Sequence, residues 1–120
     1  MDDIYQEQIL DHYKHPQNFG EVDKNCLCSE QNNPMCGDQL EMSICLKNGK
    51  IQEVKFSGQG CAVSMASTSM LTEKIKGMSL EEVKKIDYPD IEKMLGIPLS
   101  SSRKKCAYLG LEVLKRIINK

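Results

Sequence analysis

Three cysteines and one aspartate, placed in three well-separated segments, constrain this sequence more than any other feature. Cys36 and Asp38 lie in Asn-Pro-Met-Cys-Gly-Asp, Cys61 in Gly-Gln-Gly-Cys-Ala, and Cys106 in Arg-Lys-Lys-Cys-Ala. Three thiolates and a carboxylate make a four-ligand set suited to zinc or to an iron–sulfur cluster. Because the ligands are distant in sequence, only a folded domain can bring them together.

The residues around three of these ligands favour such a site. Gly37 separates Cys36 from Asp38 and permits a tight, left-handed backbone that turns both flanking side chains toward one point. Cys61 follows a glycine-rich turn that leads into a predicted helix, whose N-terminus stabilises a thiolate. A single cysteine is more often a small buried hydrophobic residue, but this placement favours ligation.

The third cysteine is flanked by cations that also bear on the charge of the site. Three thiolates and a carboxylate carry four negative charges, whereas zinc or an oxidised two-iron core contributes two positive charges. The remaining negative charge is costly when buried. Arg103 and Lys105, beside Cys106, are expected to offset it or to donate hydrogen bonds to sulfur.

The other three cysteines carry weaker signals. Cys45 is predicted to lie on the outer face of a strand as a structural residue. For Cys26 and Cys28 the alternatives are metal binding, sulfur acceptance and packing within a strand, of which we favour packing. The N-terminus lacks the pattern of a signal peptide, so we expect all six thiols to be reduced and the protein to be cytoplasmic.

Length and charge limit the remaining possibilities. With 120 residues the chain predicts a single domain spanning residues 1–120. With a formal net charge of −1, the chain has no overall positive potential that would attract nucleic acid or an anionic membrane surface. No apolar run approaches the roughly 20 residues that a membrane span requires.

Hydrophobic periodicity and turn signals predict an α+β fold. Strands at 39–47 and 50–57 are joined by Asn48-Gly49, a strong hairpin signal, with a bulge near Gln52-Glu53. The other predicted elements are helices at 3–14, 62–76, 79–86, 89–95 and 101–118, and a short edge strand at 26–30. Ser79 with Glu82 forms a capping-box pattern, and Ser100 to Ser102 offer N-cap hydroxyls for the last helix.

The motifs together resemble the iron–sulfur cluster scaffold family of IscU, SufU and the N-terminal domain of NifU. The matching stretches are Asp11-His-Tyr-Lys-His-Pro-Gln-Asn18, Asn33-Pro-Met-Cys-Gly-Asp38, Gly58-Gln-Gly-Cys-Ala-Val-Ser-Met-Ala-Ser-Thr-Ser69 and Lys105-Cys-Ala107. The resemblance implies a three-stranded antiparallel sheet with helices packed on one face. It also implies that Cys36, Asp38, Cys61 and Cys106 are the ligands.

The resemblance implies a function as well. Family members accept persulfide sulfur from a cysteine desulfurase, assemble a [2Fe-2S] cluster with iron and transfer it to apo-proteins. A member of this kind is a carrier rather than an enzyme, and Cys106 is our candidate for the persulfide acceptor. The oligomeric state stays open, with a homodimer as one alternative.

An alternative function within the family is a zinc-dependent sulfur relay of the SufU type, which has sulfurtransferase activity. Arg103 and Lys105 resemble residues of SufU-type members, whereas Isc-type members carry histidine before the third cysteine. SufU-type chains also carry an extra segment between the second and third cysteines, for which this chain has no room. We therefore place the scaffold first.

Overall fold

The computed structural model describes residues 3–33 and 37–119. Within this part of the chain no helix is long and apolar enough to cross a membrane. The elements run in chain order as α1 (Asp3–Lys14), β1 (Leu27–Asn33), β2 (Asp38–Lys47), β3 (Lys50–Gln59), α2 (Ala62–Ile75), α3 (Leu80–Lys84), α4 (Tyr88–Leu95) and α5 (Ser101–Ile118).

The three strands form an antiparallel sheet in the order β1-β2-β3. The β2–β3 hairpin turns at Asn48 and Gly49, which both have positive φ. Its register shifts so that Cys45 pairs with Glu53 and Leu46 with Ile51, which leaves Gln52 as the extra residue. The predicted hairpin and bulge are therefore confirmed.

Helices α2 and α5 pack on one face of the sheet. Alternation along β2 directs Leu40, Met42 and Ile44 into the core between sheet and helices, where all three are buried. On α5, the apolar side chains of Leu109, Val113 and Ile117 are buried as well. The predicted α+β fold, with helices on one face of a three-stranded sheet, is confirmed.

The helix ends follow their local sequence signals. Ser79 and Glu82 form the predicted capping box at the start of α3. At α5 the N-cap is Ser100, whose hydroxyl accepts a hydrogen bond from the Arg103 amide at 3.3 Å. This cap fixes the first turn of the helix that carries Cys106.

Helix α2 has an unusually polar buried side, because α1 and the segment that follows it supply partners for its hydroxyl groups. Ser69 Oγ lies 2.7 Å from His12 Nδ1 and accepts a hydrogen bond from the Gln17 amide at 2.7 Å. The Asn18 side chain donates to Thr72 Oγ1 at 3.0 Å. These bonds give His12 a role in docking α1 onto α2.

The segment between α1 and β1 binds the sheet at its edge and then crosses its outer face. The Phe56 amide of β3 donates to the Asn18 carbonyl at 3.0 Å, and the Gly20 amide donates to the Phe56 carbonyl at 2.9 Å. Further along, Val22 is buried, and the Asp23 amide donates to Ser43 Oγ on β2 at 3.0 Å. The chain thereby reaches the opposite edge, where β1 begins.

The expectation that all six thiols are reduced is wrong, because Cys26 and Cys45 form a disulfide. Leu27 pairs with Ile44, so Cys26, one residue earlier, lies directly opposite Cys45. The two Cα atoms are 5.1 Å apart, within the range that a disulfide spans. Cys45 does lie on the outer face of its strand, as predicted, but it is not a lone structural residue.

We predict that Gly58→Ala destabilises the sheet by about 2 kcal/mol or more. Gly58 has φ +136°, and a Cβ at this position would collide with the carbonyl group of Gln39 on β2. Urea unfolding measures the difference. Gly20→Ala is the matched control, because a Cβ there meets nothing within 4 Å. Equal stability of Gly58→Ala and the wild type would contradict this account of the β2–β3 contact.

Candidate metal centre

Three of the four predicted ligands converge at one end of the sheet. One carboxylate oxygen of Asp38 and the sulfurs of Cys61 and Cys106 all lie within 4.8 Å of one another. Asp38 begins β2, Cys61 immediately precedes α2, and Cys106 lies in the second turn of α5. The packing of α2 and α5 on the sheet therefore brings these distant residues together.

The Asp38 carboxylate links the sheet to α2 and leaves one oxygen for a cation. Its Oδ1 accepts a hydrogen bond from the Cys61 amide at 3.1 Å. Its Oδ2 is buried and has no hydrogen-bond partner among the described residues. A buried carboxylate oxygen without a partner is costly, and a bound cation would remove that cost. The donor set therefore fits a thiophilic metal.

Cys61 caps the helix that it precedes. Its Sγ accepts a hydrogen bond from the Ser64 amide at 3.5 Å, and its side chain is exposed. Gly60 leaves no room for a side chain, because a Cβ there would lie 2.7 Å from Ser64 Oγ and 3.1 Å from the Asp38 carboxyl group. The glycine-rich turn is thus required by the close approach of Asp38 and Ser64.

Ser64 is a polar residue of this site that the sequence did not single out. Its Oγ is buried and, among the described residues, has no hydrogen-bond partner. The serine lies three residues after Cys61, on the first turn of α2. The sequence signal that could have identified Ser64 is its spacing of three residues from Cys61. In a helix capped by Cys61, this spacing places Ser64 at N3, next to the cap residue.

Cys106 is the buried thiol of the group, with 5% of its surface exposed. A shallow opening lined by Cys61, Ala62, Val63, Ser102, Arg103 and Cys106 connects it to solvent. Arg103 therefore lines the same opening as the two sulfurs, as predicted from the sequence. Lys105 is exposed and is not among the described residues that line this opening.

Lys104, two residues before Cys106, forms an ion pair with an acid on α4. Its Nζ lies 3.7 Å from Glu92 on α4. The Tyr108 hydroxyl donates to the same carboxylate at 2.6 Å, and this hydrogen bond raises the pKa of Tyr108 to about 12. The Tyr108–Glu92 hydrogen bond joins α5 to α4.

Cys36 lies outside the described residues, so its ligand role remains a prediction. Gly37, which follows it, has φ +71°, the left-handed conformation expected from the sequence. Cys28 lies on β1 as a thiol outside the disulfide. It is not part of the Asp38–Cys61–Cys106 group.

The fold is that of a known family. The NifU-like N-terminal domain model matches residues 4–120, and the chain belongs to that family. The expected family resemblance is therefore confirmed.

Relatives of both functional types are similar to this chain. The zinc-dependent sulfurtransferase SufU of Bacillus subtilis is 34% identical, with 100% of this chain and 92% of that protein covered. The iron–sulfur cluster assembly scaffold protein IscU of Haemophilus influenzae is 36% identical, with 95% and 92% covered. A solved SUF-system scaffold protein from Fervidobacterium islandicum is 28% identical, covers 96% of each chain and superposes with a TM-score of 0.80.

We predict that Cys61→Ala and Cys106→Ala each lose most bound metal while staying folded. Each variant removes one sulfur from a four-ligand set, whereas the Cys61 amide that binds Asp38 is retained. Metal analysis after gel filtration, with circular dichroism as the folding check, measures the effect. Cys28→Ala is the matched control and should keep its metal. Full metal content in either site variant would show that the substituted cysteine is not a ligand.

Proposed function

We propose that this protein is a scaffold on which a [2Fe-2S] cluster is assembled and then transferred to apo-proteins. The observation that carries the proposal is the convergence of Asp38, Cys61 and Cys106 around a buried carboxylate oxygen without a partner. Cys36, beside Gly37, completes the ligand set. The cluster is cargo, so the protein acts as a carrier rather than an enzyme.

The donor set suits a cargo that must leave again. Thiolates bind iron strongly, whereas a carboxylate oxygen is the harder and weaker ligand for this soft site. Cys61 is exposed, so an acceptor protein can reach one edge of the cluster without unfolding the scaffold. Arg103, at the opening, offsets part of the negative charge that four anionic ligands leave.

The sulfur is proposed to come from a cysteine desulfurase as persulfide. A site thiolate attacks the outer sulfur of the desulfurase persulfide, and the desulfurase cysteine departs as a thiolate. Reduction of the transferred sulfur to sulfide takes two electrons, which an external thiol or electron-transfer protein supplies. Because this chemistry needs reduced thiols, a cytoplasmic setting belongs to the proposal. The homodimer remains an alternative to a monomeric carrier.

The second candidate function is a zinc-dependent sulfur relay. The 34% identity to the Bacillus sulfurtransferase and the lysine before Cys106 favour it. In that case zinc occupies the same ligands and the protein has sulfurtransferase activity. The alignment with that relative spans 137 positions against 120 residues here, so the relative carries residues that this chain lacks. The absence of these residues favours the scaffold function over the relay.

Anaerobic reconstitution separates the two functions. The reduced protein is incubated with ferrous iron, cysteine, a desulfurase and a thiol reductant, and is then analysed for iron, sulfide, zinc and visible absorption. A scaffold acquires equal amounts of iron and sulfide and transfers them to an apo-ferredoxin. A relay keeps its zinc, acquires no iron and still accelerates sulfur release by the desulfurase.

We predict that Asp38→Ala slows cluster transfer rather than preventing cluster assembly. The substitution removes the weakest ligand, and a remaining thiol or an external thiolate would hold the cluster more firmly. Transfer rates to apo-ferredoxin are compared between the variant and the wild type, with Glu21→Ala, which removes an exposed carboxylate, as the control. Faster transfer from Asp38→Ala would contradict a role for Asp38 in cluster release.

We predict that the desulfurase delivers its sulfur to Cys106. Arg103 lies at the opening beside this thiol and stabilises the attacking thiolate. Because Cys106 is buried, the desulfurase persulfide must enter through that opening, and the exposed Cys61 is the competing acceptor. Peptide mass spectrometry after incubation with desulfurase and cysteine locates the added sulfur. Sulfur found only on Cys61 or Cys36 would overturn the choice of Cys106.

A further inference from the structure

We propose that Asp23, Cys26 and Cys45 form a second metal site. It binds zinc or a similar divalent cation when its two thiols are reduced, and it binds no metal when they form the disulfide. This site lies on the outer face of the sheet and takes no part in the proposed cluster assembly. The inference therefore goes beyond the scaffold function.

The three donor groups already lie close together in the structure. A carboxylate oxygen of Asp23 and the sulfurs of Cys26 and Cys45 lie within 4.8 Å of one another. Asp23 Oδ2 lies 3.5 Å from the Cys26 sulfur and 3.9 Å from the Cys45 sulfur. Both cysteines are half-buried and Asp23 is exposed, so an ion can enter from solvent.

The Asp23 carboxylate is held in this position by the turn that it begins. Its Oδ1 accepts a hydrogen bond from the Asn25 amide at 2.9 Å. The Cys26 amide donates to the Asp23 carbonyl at 3.1 Å, and the Asp23 amide donates to Ser43 Oγ at 3.0 Å. These bonds fix the aspartate between the sheet and Cys26 and leave Oδ2 facing the sulfurs.

The disulfide offers no hydrogen-bond donor to the Asp23 carboxylate oxygen that faces it. Disulfide sulfurs carry no proton, so neither of them can donate a hydrogen bond to Asp23 Oδ2. Two thiols can donate to it, and a metal ion can bind all three groups at once. The fixed position of the carboxylate thus matches the reduced site better than the oxidised one.

The donor chemistry selects the class of cation. Two thiolates with a carboxylate suit zinc and similar thiophilic ions, whereas magnesium and calcium prefer oxygen alone. Glu53 lies directly opposite Cys45 in the β2–β3 register, so it is on the same face of the sheet. In the proposed site, a water molecule or a reoriented Glu53 carboxylate fills the fourth ligand position.

The site opens by thiol–disulfide exchange. Two molecules of a low-molecular-weight thiol convert the disulfide into two cysteine thiols through a mixed disulfide, and they leave as an oxidised small-molecule disulfide. Cation binding then releases the two thiol protons. Loss of the cation and two-electron oxidation by a small-molecule disulfide restores the closed form.

The second site is separate from the cluster ligands. Asp38 and Cys45 both belong to β2, but seven residues of strand place them about 24 Å apart. Alternation also directs them to opposite faces, because Asp38 shares the helix-covered face with Leu40, whereas Cys45 shares the outer face with Ser43. Metal bound at one site can therefore be lost without disturbing the other.

Zinc binding by the full chain tests the proposal. Wild type, the Cys26→Ser/Cys45→Ser double variant, Asp23→Asn and Cys28→Ser are reduced anaerobically with a phosphine, which is then removed. They are titrated with zinc, and the oxidised wild type is titrated alongside them. We expect the reduced wild type and Cys28→Ser to bind one more equivalent than the double variant and the oxidised protein. Asp23→Asn, which keeps both thiols and the disulfide, should bind the additional zinc about tenfold more weakly.

The opposite results would overturn the proposal. Equal zinc content in the reduced wild type and the double variant would show that these thiols hold no metal. Loss of the additional equivalent in Cys28→Ser, or full affinity in Asp23→Asn, would show that the ligands are not those proposed. Because the readout is zinc stoichiometry, failure here leaves the cluster scaffold function untouched, and the reverse also holds.

Discussion

The hydrogen bond from the Cys61 amide to the Asp38 carboxylate is the contact that aligns the sheet with α2 at the proposed cluster site. It joins the first residue of β2 to the N-cap of α2, at 3.1 Å. One carboxylate thereby fixes the position of the second cysteine and leaves its other oxygen available for the proposed ligand role. Because Asp38 is buried, the bond is shielded from water.

The rest of the fold supports this contact. Ser67 Oγ on α2 donates to the Ala107 carbonyl on α5 at 2.7 Å, next to Cys106. Gly110 allows the two helices to approach, since a Cβ there would lie 2.5 Å from Thr68 Oγ1. The two cysteine-bearing helices are therefore tied to each other as well as to the sheet. The proposed ligands thus lie on three elements that are bonded to one another, and the site is exposed at Cys61.

Local signals in the sequence predicted most of the fold. The features that were not predicted depend on contacts between residues far apart in the sequence. The alternation of β2, the Asn48-Gly49 turn and the Ser79 capping box each act over a few residues, so their outcomes could be predicted. The Cys26–Cys45 disulfide depends on the register of β1 against β2. Strand β1 is mostly polar, with no alternation that would fix its register in advance. Likewise, the burial of Cys106 follows from how α5 packs on α2, which no local pattern specifies.

Mössbauer spectroscopy of the protein reconstituted with ⁵⁷Fe tests the central claim most directly. In a [2Fe-2S] cluster held by Cys36, Asp38, Cys61 and Cys106, one iron has four sulfur neighbours and the other has three sulfurs and one oxygen. The account predicts two ferric environments of equal area, which become alike when Asp38 is replaced by cysteine. Two equivalent all-sulfur irons in the wild type, unchanged by that substitution, would contradict it.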